Sequence, residues 1–279
     1  MVDSVDTLED GVPEQPNYDI NDFQKLIKLL CSPDGCPWDR EQTHKSVRRN
    51  LLEEAYEAAE AIDNDDTQGL IEELGDVLMQ VLFHADIAER AGEFDLNAII
   101  DSACKKLIRR HPHVFGDVRA KDGTESLAFW DDIKRKEKSL ETTYEAMQTV
   151  ARSLPELWRA EKVQKKAAKV GFDWSTYAGA LDTLKSELSE LEDAILCKND
   201  SEVVSHERIE EEVGDLLFSV VNVARFFKVD PEKALSGTTD KFISRFSKLE
   251  RKVIAQGDEL SDMTLDEMES IYQQVKLEE

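Results

Sequence analysis

Apolar residues recur every three to four positions along most of the chain, the spacing that gives a helix one apolar face. "NDFQKLIKLL", from Asn21, opens the pattern, and "CSPDGCPWD" breaks it with Pro, Asp and Gly. The spacing then predicts helices at about 41–64, 70–91 and 96–110. Pro112 and Gly116 in "HPHVFGD" stop the last of these. "VRAKDGTES" reads as a loop and "LAFWDDIKRKEKS" as a short helix. After a mixed stretch at 139–155 the cycle restarts. "LWRAEKVQKKAAKV" is helical, "GFDWS" is a loop, and helices follow at about 177–197, 204–228, 231–256 and 264–276. No stretch reads as a convincing strand, so the expected class is all-α.

The restart is an internal repeat. Glu73 aligns with Glu212, Glu54 with Glu187 and Lys106 with Lys241, at offsets of 139, 133 and 135. Loops of unequal length absorb the differences. The expected organisation is a disordered acidic tail at 1–20, a first module at 21–138, a connector at 139–155 and a second module at 156–279.

In each half, two helices carry acidic residues three apart: Glu54/Glu57 with Glu73/Asp76, and Glu187/Glu190 with Glu212/Asp215. Such residues share a helix face, so two antiparallel helices bring four carboxylates together. With 60 Asp and Glu in 279 residues, one such pattern arises by chance. Its return at matched places, and the helical wheel, argue otherwise. On the helix from 70 to 85, Ile71, Leu74, Leu78, Val81, Leu82 and Ala85 form the expected core face, with Val77 and Phe83 flanking Glu73 and Asp76. Unpaired carboxylates hemmed in by apolar groups are costly or become protonated. A bound divalent cation removes the conflict.

The partner helices agree. Leu51, Ala55, Ala58 and Ile62 make one stripe, bordered by Glu54 and Glu57. Leu181, Leu184, Leu188, Leu191 and Ile195 make the other, bordered by Glu187 and Glu190. Ser186 takes the outward place that Glu53 holds in the first half. An all-carboxylate donor set selects Mg²⁺, or Mn²⁺, over zinc, and Mg²⁺ commonly joins carboxylates to phosphates. Gly75 and Gly214 lie inside helices, where a close helix contact beside the site or simple packing explains them.

Charge narrows the partners. The formal net charge is −25, which repels nucleic acid and anionic membranes, so neither is expected as a partner. Basic clusters therefore need a reason. Lys106 and Arg110, and again Lys241 and Arg245, sit four apart on one helix face. They are phosphate ligands or ordinary surface cations, as are Lys165, Lys166 and Lys169. Trp38 and Trp174 are base-stacking residues or loop anchors. His111 and His113 suggest a metal or a proton shuttle, or else a helix-ending turn. Cys31, Cys36, Cys104 and Cys197 show no CxxC pair and read as reduced thiols. The first residues have no basic start or apolar core, so no signal peptide is expected. No apolar run approaches the roughly 20 residues that cross a bilayer. A cytoplasmic protein is the expectation. Long apolar stripes such as 213–227 exceed what one small bundle covers, which predicts a homodimer.

"GCPWDREQTHKSVRRNLLEEAYE", "EELGD", "RRHPHVF", "KVGFDW" and "EEEVGDLLF", in that order, resemble the MazG family of the all-α NTP pyrophosphatase superfamily over about residues 20–279. The resemblance implies tandem four-helix modules that dimerise. It also implies Mg²⁺-dependent hydrolysis of nucleoside triphosphates, ATP included, to monophosphate and pyrophosphate. It puts turnover in the second module, with Glu187, Glu190, Glu212 and Asp215 as metal ligands. Lys241, Arg245 and Tyr272 would contact the nucleotide, and Arg208, Ile209, Glu210 and Glu211 would line its pocket. Glu54, Glu57, Glu73 and Asp76, with Lys106 and Arg110, would form a second site. The chain departs from the family pattern at Ser186 and at Tyr272, where a Trp is common. A nucleotide-binding regulatory protein without turnover is the competing reading. A di-iron bundle would need Glu-x-x-His pairs, which neither half supplies.

Overall fold

The structure, a computed structural model, describes residues 17–117, 119, 121–137, 140–196 and 205–279. Among these residues there are helices and no strand. The chain divides into two compact units, with the boundary between Lys134 and Arg135. Most of the tail expected at 1–20, and Cys197, lie outside the described residues.

The first unit contains α1 (Ile20–Leu30), α2 (Pro37–Arg40), α3 (Arg48–Asp63), α4 (Thr67–Ala91), α5 (Leu96–Arg110) and α6 (Pro112–Phe115), and α7 (Gly123–Glu137) spans the boundary. The second contains α8 (Thr143–Gln148), α9 (Glu156–Ala168), α10 (Tyr177–Leu196), α11 (His206–Phe226), α12 (Pro231–Gln256) and α13 (Leu265–Leu277). In each unit the main pairing is a helical hairpin, α3 with α4 and α10 with α11. α1 packs on α4 as α9 packs on α11, while α12 packs on α13 and α9.

Local chemistry sets the ends. α3 starts at Arg48, later than the spacing predicts, because Thr43 and Ser46 cap each other's backbone N–H at 2.9 and 3.2 Å. α8 arises inside the mixed stretch through a capping box of Thr142 and Glu145. α7 begins four residues early, with the Asp122 carboxylate accepting from the Glu125 N–H at 2.9 Å. "HPHVF" forms the single turn α6, and His111 Nδ1 lies 2.6 Å from the Leu107 carbonyl, so this histidine closes a helix end.

The core of the first unit corrects one expectation. Ile27, Cys31, Leu82, Phe83, Ala85 and Leu96 are its buried cluster. Ile71 and Leu74 on α4 are more than half exposed, and Leu78 is exposed as well. The expected core face of α4 is therefore buried only in its second half, where α1 packs, and Phe83 belongs to the core rather than to the carboxylate side. Leu188 and Ile195 of the α10 stripe and Ile62 of the α3 stripe are likewise exposed. Among the described residues no helix is long and apolar enough to cross a membrane.

Candidate active site

The hairpin of each unit brings its carboxylates together. In the second unit, Glu187 from α10 and Glu212 and Asp215 from α11 each offer an oxygen, all within 4.8 Å of one another. In the first unit the trio is Glu54 and Glu57 from α3 and Glu73 from α4, within the same 4.8 Å. The repeats thus converge on different threes of their four acids.

Glu190 stands beside the second cluster, and its negative charge helps to raise the Glu187 pKa. Its carboxylate accepts a hydrogen bond from Ser186 Oγ at 3.1 Å. Sequence reasoning placed Ser186 outward and missed this role, although the i, i+4 spacing signals it.

Electrostatics mark both clusters as short of positive charge. Partial burial first, then Glu190, Asp215 and Glu212, push the Glu187 carboxyl above its ordinary range. Burial and then Asp76, Glu57 and Glu73 do the same to Glu54. Glu73 is raised by burial and then by Glu57, with which it also shares a hydrogen bond. Arg208 stands beside the second cluster, its Nε 3.9 Å from Glu212 and its side chain about half exposed. Carboxylates that repel one another, with hard oxygen donors only, fit a divalent cation of the Mg²⁺ kind.

The remaining predicted residues lie on α5, α9, α11, α12 and α13. Arg208, Ile209, Glu210 and Glu211 occupy the first turns of α11, just ahead of Glu212, where Ser205 Oγ caps the Arg208 N–H at 3.3 Å. Lys241 and Arg245 lie on α12 and Tyr272 on α13. Tyr272 packs on Phe242 with ring centres 6.0 Å apart, and Arg245 is held by Glu279 at 2.8 Å. Lys106 is exposed on α5, and Arg110 lies 5.2 Å from the ring centre of Trp130. Lys165 pairs with Glu161 at 2.6 Å.

Trp38 and Trp174 are both at least half exposed, so neither is a buried anchor. Trp174 leans on α10 at Gly179, where an added Cβ would come within 2.8 Å of the indole. Gly75 and Gly214 have no such neighbour within 4 Å among the described residues, so neither a close helix contact nor tight packing there explains them.

The description "MazG nucleotide pyrophosphohydrolase domain" matches residues 42–115 and 175–249, which contain the two carboxylate clusters. A nucleoside triphosphate pyrophosphohydrolase of Escherichia coli strain K12 is 43% identical over 264 residues, covering 93% of this chain and 99% of that protein. The nucleoside triphosphate pyrophosphohydrolase/pyrophosphatase MazG of Thermotoga maritima is 41% identical over 257 residues, covering 91% and 95%. An uncharacterized protein, YabN, of Bacillus subtilis is 44% identical over 259 residues, covering 93% of this chain and 52% of that protein. Two domain matches on two carboxylate-bearing hairpins, with full-length relatives, place the chain in the MazG family as a tandem, all-α member.

Proposed function

We propose that the second unit hydrolyses nucleoside triphosphates, ATP among them, to nucleoside monophosphate and pyrophosphate, and so clears nucleotides from the cellular pool. The observation that carries this reading is the convergence of Glu187, Glu212 and Asp215 within 4.8 Å, in a chain so similar to proteins named for that reaction.

Glu187, Glu190, Glu212 and Asp215 would hold Mg²⁺, with Mn²⁺ as a substitute. When bound there, the cation neutralises phosphate charge and acidifies water. The chain's own part is to fix the donors. α10 and α11 present them from rigid helices, and Ser186 orients Glu190. A carboxylate of the cluster receives the proton of the attacking water. Lys241 and Arg245 are assigned to the leaving pyrophosphate, where positive charge counters the charge that develops. The first unit, with its own trio, serves stability, assembly or a slower second reaction.

We further propose that two chains associate. Val213, Leu217 and Val220 on α11, Phe242, Ile243 and Phe246 on α12, and Ile71 and Leu74 on α4 are exposed apolar side chains on long helices. Such faces favour a second copy over water.

The test is product analysis with each NTP and dNTP in the presence of Mg²⁺. Pyrophosphate with monophosphate supports the reading. Stoichiometric nucleotide binding without turnover supports the regulatory alternative.

A further inference from the structure

The internal repeat runs on past the helices that bear the carboxylates. "YQQVK" at 272–276 has a counterpart in "WDDIK" at 130–134, which puts Trp130 at the place of Tyr272 and Lys134 at that of Lys276. The offset that aligns Lys106 with Lys241 also aligns Arg110 with Arg245. The family matches stop at residues 115 and 249, ahead of both aromatics.

Each unit brings its aromatic to the same arginine. In the second, Tyr272 on α13 shares a hydrogen bond with Arg245 and packs on Phe242, ring centres 6.0 Å apart. In the first, α7 makes the equivalent contact: Arg110 Cζ lies 5.2 Å from the centre of the Trp130 ring. His111 meets that ring edge-on at 5.1 Å, and His113 stacks on Phe129 at 6.5 Å. The two histidines of "RRHPHVF" thus dock α7 on the end of α5. Trp130 keeps part of its surface open to solvent, and Lys106, one turn before Arg110, is exposed.

The chain reaches the two contacts by different routes. α12 continues past Arg245 as far as Gln256 before the chain returns through α13, whereas α5 ends at Arg110, ahead of Pro112. Loop geometry therefore does not impose the common contact. What the units share is a guanidinium beside a ring, on a helix that also carries a lysine four residues earlier. A guanidinium matches phosphate oxygens in pairs, and an aromatic ring stacks on a base of any sequence. Together they suit a ligand with phosphate at one end and a base at the other.

We propose that Trp130, with Lys106 and Arg110, forms a nucleotide seat in the first unit, the cations taking the phosphates and the indole supplying a wall for the nucleoside. The ligand class is a nucleoside triphosphate with its Mg²⁺. The assignment rests on the reading of Lys241 and Arg245 as phosphate ligands in the second unit. It gives each chain two nucleotides, and it turns α7 from a linker into part of a site.

The experiment is calorimetric titration of the full chain with Mg²⁺ and α,β-imido-ATP, which needs no turnover, beside steady-state hydrolysis of ATP by the wild type. The wild type should take two nucleotides per chain. The double variant Lys241→Ala, Arg245→Ala should keep one, and adding Trp130→Ala should weaken that one roughly tenfold or more. Trp130→Tyr in its stead, which installs the residue of the second unit, should bind within about threefold of the double variant. Thermal melts identify variants that fail to fold, and Lys106→Gln, on an exposed position, should weaken the same nucleotide without disturbing α7. One nucleotide per chain, lost in the double variant, overturns the proposal and leaves the second unit's reaction standing. A first-unit nucleotide that survives Trp130→Ala and Lys106→Gln at full affinity overturns it too, and a lowered Tm in that Trp130→Ala chain would make the indole a packing residue only. A wild type that binds none overturns both readings. Two nucleotides, one of them dependent on Trp130, in a chain that hydrolyses no ATP keep the seat and refute the hydrolytic reading.

Discussion

Arg245 donates two hydrogen bonds to Glu279, from Nε at 2.9 Å and from Nη2 at 2.8 Å. Lys248 adds a third to the same carboxylate at 2.9 Å. These cations hold the Glu279 carboxyl down to about 2. A carboxylate whose folded pKa is depressed stabilises the fold above its unfolded value, near 4.5, and that contribution is lost as pH falls through about 2. If Arg245 is also a phosphate ligand, substrate must compete with Glu279 for it. Glu279→Ala should lower KM about two- to fivefold, and hydrogen exchange in α13 should speed up at neutral pH. An unchanged KM would mean that Arg245 serves the α12–α13 contact alone.

Removing a metal carboxylate should be severe in one unit and mild in the other. Glu212→Ala and Asp215→Ala should each cost roughly 10²–10⁴ in the rate of pyrophosphate release. Glu73→Ala should leave most of it. Steady-state rates decide the matter. Equal losses would mean that both clusters work or are coupled, and loss from Glu73→Ala alone would reverse the assignment.

The acidic clusters should destabilise the metal-free protein. Burial and three acidic neighbours raise the Glu187 pKa, so the folded chain holds that proton more tightly than the unfolded chain. Stability then falls as pH rises through the raised folded value and is recovered toward the ordinary carboxylate range. In chelator, Tm should be higher near pH 5 than the other carboxylates alone predict, and Glu187→Gln should melt above wild type at pH 8. Mg²⁺ should raise the wild-type Tm at pH 8 and raise that of Glu187→Gln less. An equal Mg²⁺ response in both would remove Glu187 from the cation site.

What the sequence makes legible follows from period and spacing. The helices are read from apolar recurrence, and six of the eight acids fall into two trios because i, i+3 pairs on paired helices must meet. The late start of α3 is less visible, since Thr43 and Ser46 compete with the helix through side-chain bonds that periodicity ignores. The exposure of Ile71 and Leu74 is invisible to a helical wheel, which gives a face and not what covers it.

The exposed apolar faces predict association. Light scattering at micromolar concentration should give the mass of two 31.7 kDa chains. Ile243→Lys or Ile71→Lys, each in a side chain more than half exposed, should shift the mass toward one chain while helicity persists. A single-chain mass for the wild type would contradict the dimer.

The central claim is hydrolysis between the α- and β-phosphates at the Glu187, Glu212 and Asp215 cluster. Reaction of ATP in ¹⁸O-water with Mg²⁺, followed by mass spectrometry of both products, tests it most directly. In-line attack at the α-phosphorus predicts one ¹⁸O in the monophosphate, unlabelled pyrophosphate, and loss of both products in Asp215→Ala. Label in the pyrophosphate, release of diphosphate with inorganic phosphate, or full activity in Asp215→Ala would contradict it.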